Sequence, residues 1–113
     1  MKPDIYPVKK IKNGSLSVMA KPVSGEWIED EFAGIASYGI NILVSLLEKE
    51  ESKELGLENE QKHCHKNDIN FISYPIKDRG VPNSVTHFVK LIHYLFNEIS
   101  AGKNIVIHCR AGR

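Results

Sequence analysis

The chain has 113 residues, enough for one domain, and its 42% hydrophobic and 26% charged residues are the balance of an ordinary globular protein. A formal net charge of +1 excludes bulk attraction to nucleic acid or to an anionic membrane surface, so any basic patch must be local. No apolar run approaches the roughly 18 residues of a membrane span, and Met1-Lys2-Pro3-Asp4-Ile5-Tyr6-Pro7 has no apolar export region; a cytoplasmic location is expected, with thiols rather than disulfides for the two cysteines.

Residues 7–11 and 15–19, separated by Lys12-Asn13-Gly14, read as a hairpin capping one sheet edge, with Asn-Gly supplying the positive φ angles of the turn. Ser24 is a candidate cap for a helix over 26–38. That helix carries Ile28, Phe32, Ile35 and Ala36 on one face and Glu29, Asp30 and Glu31 near its start, and Gly39 ends it. Trp27 and Tyr38 fit the core better than a pocket wall. Residues 40–47 read as a buried strand. The acidic stretch 48–60 has only Leu55 and Leu57 as apolar handles, so it reads as a short surface helix running into a polar helix end at 61–66, with Cys64 partly buried.

His63-Cys64-His65 does not read as a metal site, because three consecutive residues cannot easily turn all their donors toward one ion and no second ligand pair follows at zinc spacing. Residues 69–76 return as a strand leading directly to Asp78. From Ser84 onward Val85, Phe88, Val89, Ile92, Leu95, Phe96 and Ile99 recur at intervals of three and four and define one helical face, with Gly102 as the stop. Asn104-Ile105-Val106-Ile107 then reads as a strand buried on both faces, which delivers Cys109 to its carboxyl end. Strands alternating with helices imply an α/β fold with a mainly parallel central sheet flanked by helices.

Two segments carry chemistry. His108-Cys109-Arg110-Ala111-Gly112 resembles the first part of the His-Cys-x5-Arg signature loop of the cysteine-dependent protein tyrosine and dual-specificity phosphatases. Upstream, Tyr74-Pro75-Ile76-Lys77-Asp78-Arg79-Gly80-Val81-Pro82 resembles the general-acid loop of the small dual-specificity members, with Asp78 at the position of the acid. Residues 17–22, 43–48 and 54–57 are also similar to segments of small bacterial members, so the resemblance covers most of the chain.

The resemblance implies a phosphatase fold lacking its C-terminal helices, over 1–113 as a single incomplete domain. It further implies hydrolysis of phosphate monoesters through a cysteinyl-phosphate. Cys109 would be the nucleophile, Asp78 the general acid, Arg110, Ala111, Gly112 and Arg113 part of the phosphate loop, and His108 a supporting residue behind it. No cofactor and no metal are implied. The expected partner is a phosphorylated protein, with phosphotyrosine and also phosphoserine or phosphothreonine as candidate groups. Arg110, Arg113, Lys77 and Arg79 resemble members that accept phosphoinositides; the alternative is that the two loop arginines are simply solvated.

The family's catalytic arginine lies six residues after the cysteine, which is position 115, so Arg113 is a variable loop residue and the chain as written is expected to be inactive and part of a longer phosphatase. The central strand is accordingly expected to lack cover on one face. Two rivals remain: a rhodanese-like sulfurtransferase, whose persulfide loop also follows a buried strand, and a pseudophosphatase that binds phosphorylated partners without turnover. Cys64 could act as a redox partner of Cys109 only if the two sulfurs lie close together in the fold.

Overall fold

A computed structural model of the protein describes residues 5–20, 22, 25–75 and 85–108. Strands β1 (Ile5–Ile11) and β2 (Gly14–Met19) form the expected antiparallel hairpin at one edge of the sheet. Its two-residue loop is Lys12-Asn13, and the left-handed φ falls on Lys12 at 55° rather than on Asn13 or Gly14. Gly14 is needed for a different reason. A Cβ there would collide with the carbonyl oxygen of Ile99 and lie 2.7 Å from that of Lys103, so only glycine lets the strand pass this close to the neighbouring backbone. The register of β1 shifts between Pro7 and Lys9, and its Lys9 and Lys10 are exposed, features that keep an edge strand from pairing with other chains.

Helix α1 (Ile28–Ser37) begins two residues later than the sequence pattern suggests, with Trp27 at its N-cap making no side-chain capping bond; Ser24 lies outside the described residues. Glu29, Asp30 and Glu31 occupy the first turn, where the helix dipole favours negative charge, and Gly39 follows the helix at φ 95°. Strand β3 (Ile42–Ser45) is buried at every position. The acidic stretch divides into two helices, α2 (Lys49–Glu54) and α3 (Glu60–Lys66), because Gly56 turns the chain at φ 70° between them. Strand β4 (Asn70–Ser73), helix α4 (Val85–Ser100) and strand β5 (Asn104–His108) complete the order.

The five strands lie in the order β1-β2-β5-β3-β4, and every pairing except that of the hairpin is parallel. Strand β5 is therefore central. Its register is tied at the amino end by asparagines. The Asn104 side chain accepts from Ser15 Oγ at 2.8 Å and donates to the Gly39 carbonyl at 3.0 Å, while Asn41 Oδ1 accepts the Asn104 N–H at 2.8 Å.

Both faces of the sheet are covered, which corrects the expectation of a one-sided central strand. On one face Val106 packs with Met19, Leu43, Phe32 and Ile35 of α1, and Cys64 of α3. On the other, Ile105 packs with Ile42, Val44, and Leu95 and Ile99 of α4, with Ile107 partly buried against them. The helical face read for α4 is wider than the surface it packs. Leu95 and Ile99 are buried, whereas Val89, Ile92 and Phe96 stay exposed. Trp27 and Tyr38 are exposed as well, contrary to a core role, because both flank α1 at turns beyond its packed face.

Candidate active site

Parallel strands all end on the same side of a sheet, and that side is where open α/β folds hold ligands. Strand β5 ends here at His108. Its carbonyl accepts the Leu46 N–H at 3.0 Å, which joins the ends of β5 and β3, and within the end of β3 the Ser45 hydroxyl accepts the Leu47 N–H at 3.3 Å. Strand β4 ends beside them, where the Tyr74 N–H donates to the Ser45 carbonyl at 2.9 Å. The Tyr74 ring meets that of Phe88 in α4, centroids 6.0 Å apart. Both flanks of the segment containing Asp78 are thus anchored at the carboxyl edge of the sheet.

The His108 ring is buried, and its Nε2–H donates to Glu60 Oε2 at 2.7 Å. Glu60 is itself only 2% exposed, although its place in an acidic run reads as solvated surface. The helix α3 explains the difference. Cys64 lies one turn after Glu60 on the same buried face of α3, and Leu57, buried in the turn just before the helix, accepts the Glu60 N–H at 3.2 Å through its carbonyl, so both draw Glu60 inward. Such a pair is costly to bury, and removing one partner alone would leave the other uncompensated at about 3–5 kcal/mol. His108 Nδ1 and Glu60 Oε1 are the two buried side-chain polar atoms that make no hydrogen bond among the described residues.

The thiol of Cys64, also fully buried, is pushed up from 9.0 to about 12, mainly by burial and further by the charge of Glu60. It is neutral and unreactive in the folded chain. His63 stacks on Phe32 with centroids 5.3 Å apart, and His65 is exposed, so these three neighbours point in different directions. Cys64 is more deeply buried than the sequence pattern suggests.

A cleft of about 420 Å³ opens at the same edge, lined among others by Leu47, Lys53, Glu60, Ser73 and Pro75. Of the residues singled out in the sequence, His108 is the last residue of β5. Cys109, Arg110, Ala111, Gly112, Arg113 and Asp78 lie outside the described residues, as does any pairing of Cys64 with Cys109. Glu60 escaped the sequence reading; its one signal was Cys64, a helical turn after it.

This fold, a mostly parallel sheet flanked by helices, is that of the protein tyrosine and dual-specificity phosphatases. The chain matches kinase-associated phosphatase, solved with its catalytic-site cysteine replaced by serine, with a TM-score of 0.87 at 16% identity, over 99% of this chain and 67% of that one. It matches the phosphatase Tk-PTP in its active form with a TM-score of 0.68 at 23% identity, over 86% of this chain and 58% of that one. A chain assigned as a protein tyrosine phosphatase from Leishmania major matches with a TM-score of 0.66 at 13% identity, over 94% and 68%. The chain thus spans about three fifths to two thirds of the length of these structures. No curated protein matches it in sequence.

The family model for the DSP-PTPase phosphatases of polymorphic toxin systems, Tc-R-P, matches residues 17–113, and the chain belongs to that family. The sulfurtransferase alternative has no support in these matches. Among the described residues no helix is long and apolar enough to cross a membrane.

Proposed function

We propose that this domain hydrolyses phosphate monoesters on proteins, with Cys109 as nucleophile and Asp78 as general acid. What carries the reading is the arrangement of the sheet. The segment with Cys109 follows β5 and the segment with Asp78 follows β4, and only β3 separates those strands. At about 4.8 Å per strand the two strand ends lie roughly 10 Å apart, within reach of one substrate phosphate held between two loops.

In the first step the Cys109 thiolate attacks phosphorus and forms an S–P bond as the P–O bond breaks, and Asp78 gives its proton to the leaving oxygen. In the second step Asp78 takes a proton from water, whose oxygen attacks phosphorus. The S–P bond breaks, releasing inorganic phosphate and restoring the thiolate. A thiolate at the mouth of a loop of backbone N–H groups is stabilised by the same dipoles that bind the phosphate dianion.

Phosphotyrosine is the first candidate substrate, phosphoserine and phosphothreonine the next. The basic residues Lys77, Arg79, Arg110 and Arg113 favour testing phosphoinositides alongside them. Membership in a toxin family points to phosphorylated macromolecules of an intoxicated cell as the pool on which it acts. The 113-residue chain does not include the position six residues after Cys109, where the family's arginine forks onto two phosphate oxygens. Its steady-state turnover is therefore expected at background, and a rate abolished by Cys109→Ser in this chain would contradict that. With an arginine at position 115 and a helix after it, hydrolysis of p-nitrophenyl phosphate is expected to appear. In that extended chain Asp78→Asn should lower kcat by about 10²–10⁴-fold, the usual contribution of a positioned general acid.

A further inference from the structure

We propose that the free edge of β4 is a docking site for an extended acidic segment of a protein partner, which adds to the five-stranded sheet as a further strand, an interaction separate from the chemistry proposed for Cys109 and Asp78. β4 ends the sheet, with β3 as its one neighbour. The Asn70 N–H donates to the Asn41 carbonyl and the Tyr74 N–H to that of Ser45, both at 2.9 Å. Alternation along a parallel strand therefore turns the N–H and C=O groups of Phe71 and Ser73 away from β3.

Sheet edges are ordinarily guarded, because unpaired backbone groups invite another chain. The opposite edge has Pro7, a register shift and the exposed Lys9 and Lys10, whereas Asn70-Phe71-Ile72-Ser73 carries no proline and no charge and pairs without a shift. With four residues β4 templates only a short stretch, which suits a peptide segment better than another sheet. A trough follows this edge. A hollow of about 690 Å³ is lined by Phe71 and Ile72 of the strand, by Lys62 and His65 of α3 and by Tyr94 of α4. It shares Glu58, Gln61 and Phe71 with the cleft at the carboxyl edge, so the two form one trough that runs on to Ser73 and Pro75.

Pattern and charge select the occupant. Phe71 packs on the face of the sheet covered by α1 and α3, and Ile72 on the face covered by α4, so the side chains of an added strand would alternate between the same two sides. On one side they meet Lys62 and His65, on the other Ile72 and the half-exposed ring of Tyr94. Three exposed lysines, Lys49, Lys53 and Lys62, line the trough against one exposed carboxylate, Glu58, while Glu60 is buried against His108. Glu50, Glu51 and Glu54 of α2 do not line it. A second copy pairing through β4 would set these lysines near their own counterparts, so a segment with Asp or Glu at alternate positions and apolar residues between them is the better fit.

The test is a titration of the ¹⁵N-labelled 113-residue chain with a capped peptide of about seven residues alternating glutamate and valine, followed by amide hydrogen exchange. Binding should slow exchange of the Phe71 and Ser73 amides by about tenfold or more and leave those of Asn70 and Ile72, already turned toward β3, unchanged. The same peptide with lysine in place of glutamate should bind about tenfold more weakly. Ser73→Pro removes an outward N–H without touching the bonds to β3 and should weaken binding by about tenfold, whereas Ser73→Ala should not. Exchange at Phe71 and Ser73 that the peptide leaves unchanged overturns the proposal, and so does equal binding of the lysine peptide. A concentration-dependent dimer that Ser73→Pro abolishes assigns the edge to a second copy and overturns it as well. If the proline variant does not fold, the wild-type exchange pattern and the lysine peptide decide. None of these outcomes involves turnover, which the Cys109→Ser comparison tests separately.

Discussion

At the scale of single residues, the buried thiol of Cys64 gives the chain a pH dependence whose sign can be worked out. The folded state holds its proton up to about pH 12, while the unfolded chain releases it near the ordinary value of 9.0. The stabilising contribution is fully present below pH 9.0 and is lost as the pH rises through that window toward 12, with a slope of up to about 1.4 kcal/mol per pH unit. Urea unfolding at pH 8 and pH 10 should show the loss, and Cys64→Ala should remove this slope while lowering stability at both values. Native Cys64 should also resist alkylation until the chain unfolds. Its burial was only half legible in the sequence: the flanking histidines suggest a polar helix end, and the inward face that Cys64 shares with Glu60 carries too few apolar residues to show a period. Glu60 was hidden for the same reason, because a carboxylate among Glu48, Glu50, Glu51, Glu54 and Glu58 carries no mark of the histidine it meets 48 residues away.

At the scale of elements, the sheet is registered by contacts that periodicity does not encode. Asn104 joins β5 to the end of β2 through Ser15 and to the approach of β3 through Gly39. Asn104→Ala removes both side-chain bonds and should cost about 1–3 kcal/mol in denaturant unfolding. Gly14→Ala forces a methyl group against the Ile99 and Lys103 carbonyls and should cost about 1–3 kcal/mol or more, because those backbone atoms close the turn after α4 and cannot simply swing aside. The hairpin itself was readable from its turn residues and alternating strands. Which residue adopts the left-handed φ was not, since Lys12-Asn13-Gly14 offers two choices of two-residue loop and the close passage of α4 decides between them.

At the scale of the whole molecule, the mostly parallel sheet and its helices follow from alternating apolar runs, and the site's position follows from the shared direction of the strands. The cover over the second face was harder to read, because the pattern in α4 marks more apolar positions than the sheet can accept. Burial divides that pattern. Ile99→Ala should destabilise by about 2–5 kcal/mol, whereas Ile92→Ser on the exposed side should stay within about 0.5 kcal/mol; thermal unfolding of the two variants separates packed from unpacked positions. The central claim, that the β5 and β4 loops form one phosphoryl-transfer site, is tested most directly by p-nitrophenyl phosphate hydrolysis in a chain carrying an arginine at position 115 and the helix after it. Turnover lost to background in Cys109→Ser is the predicted result, and turnover that survives that substitution would contradict it.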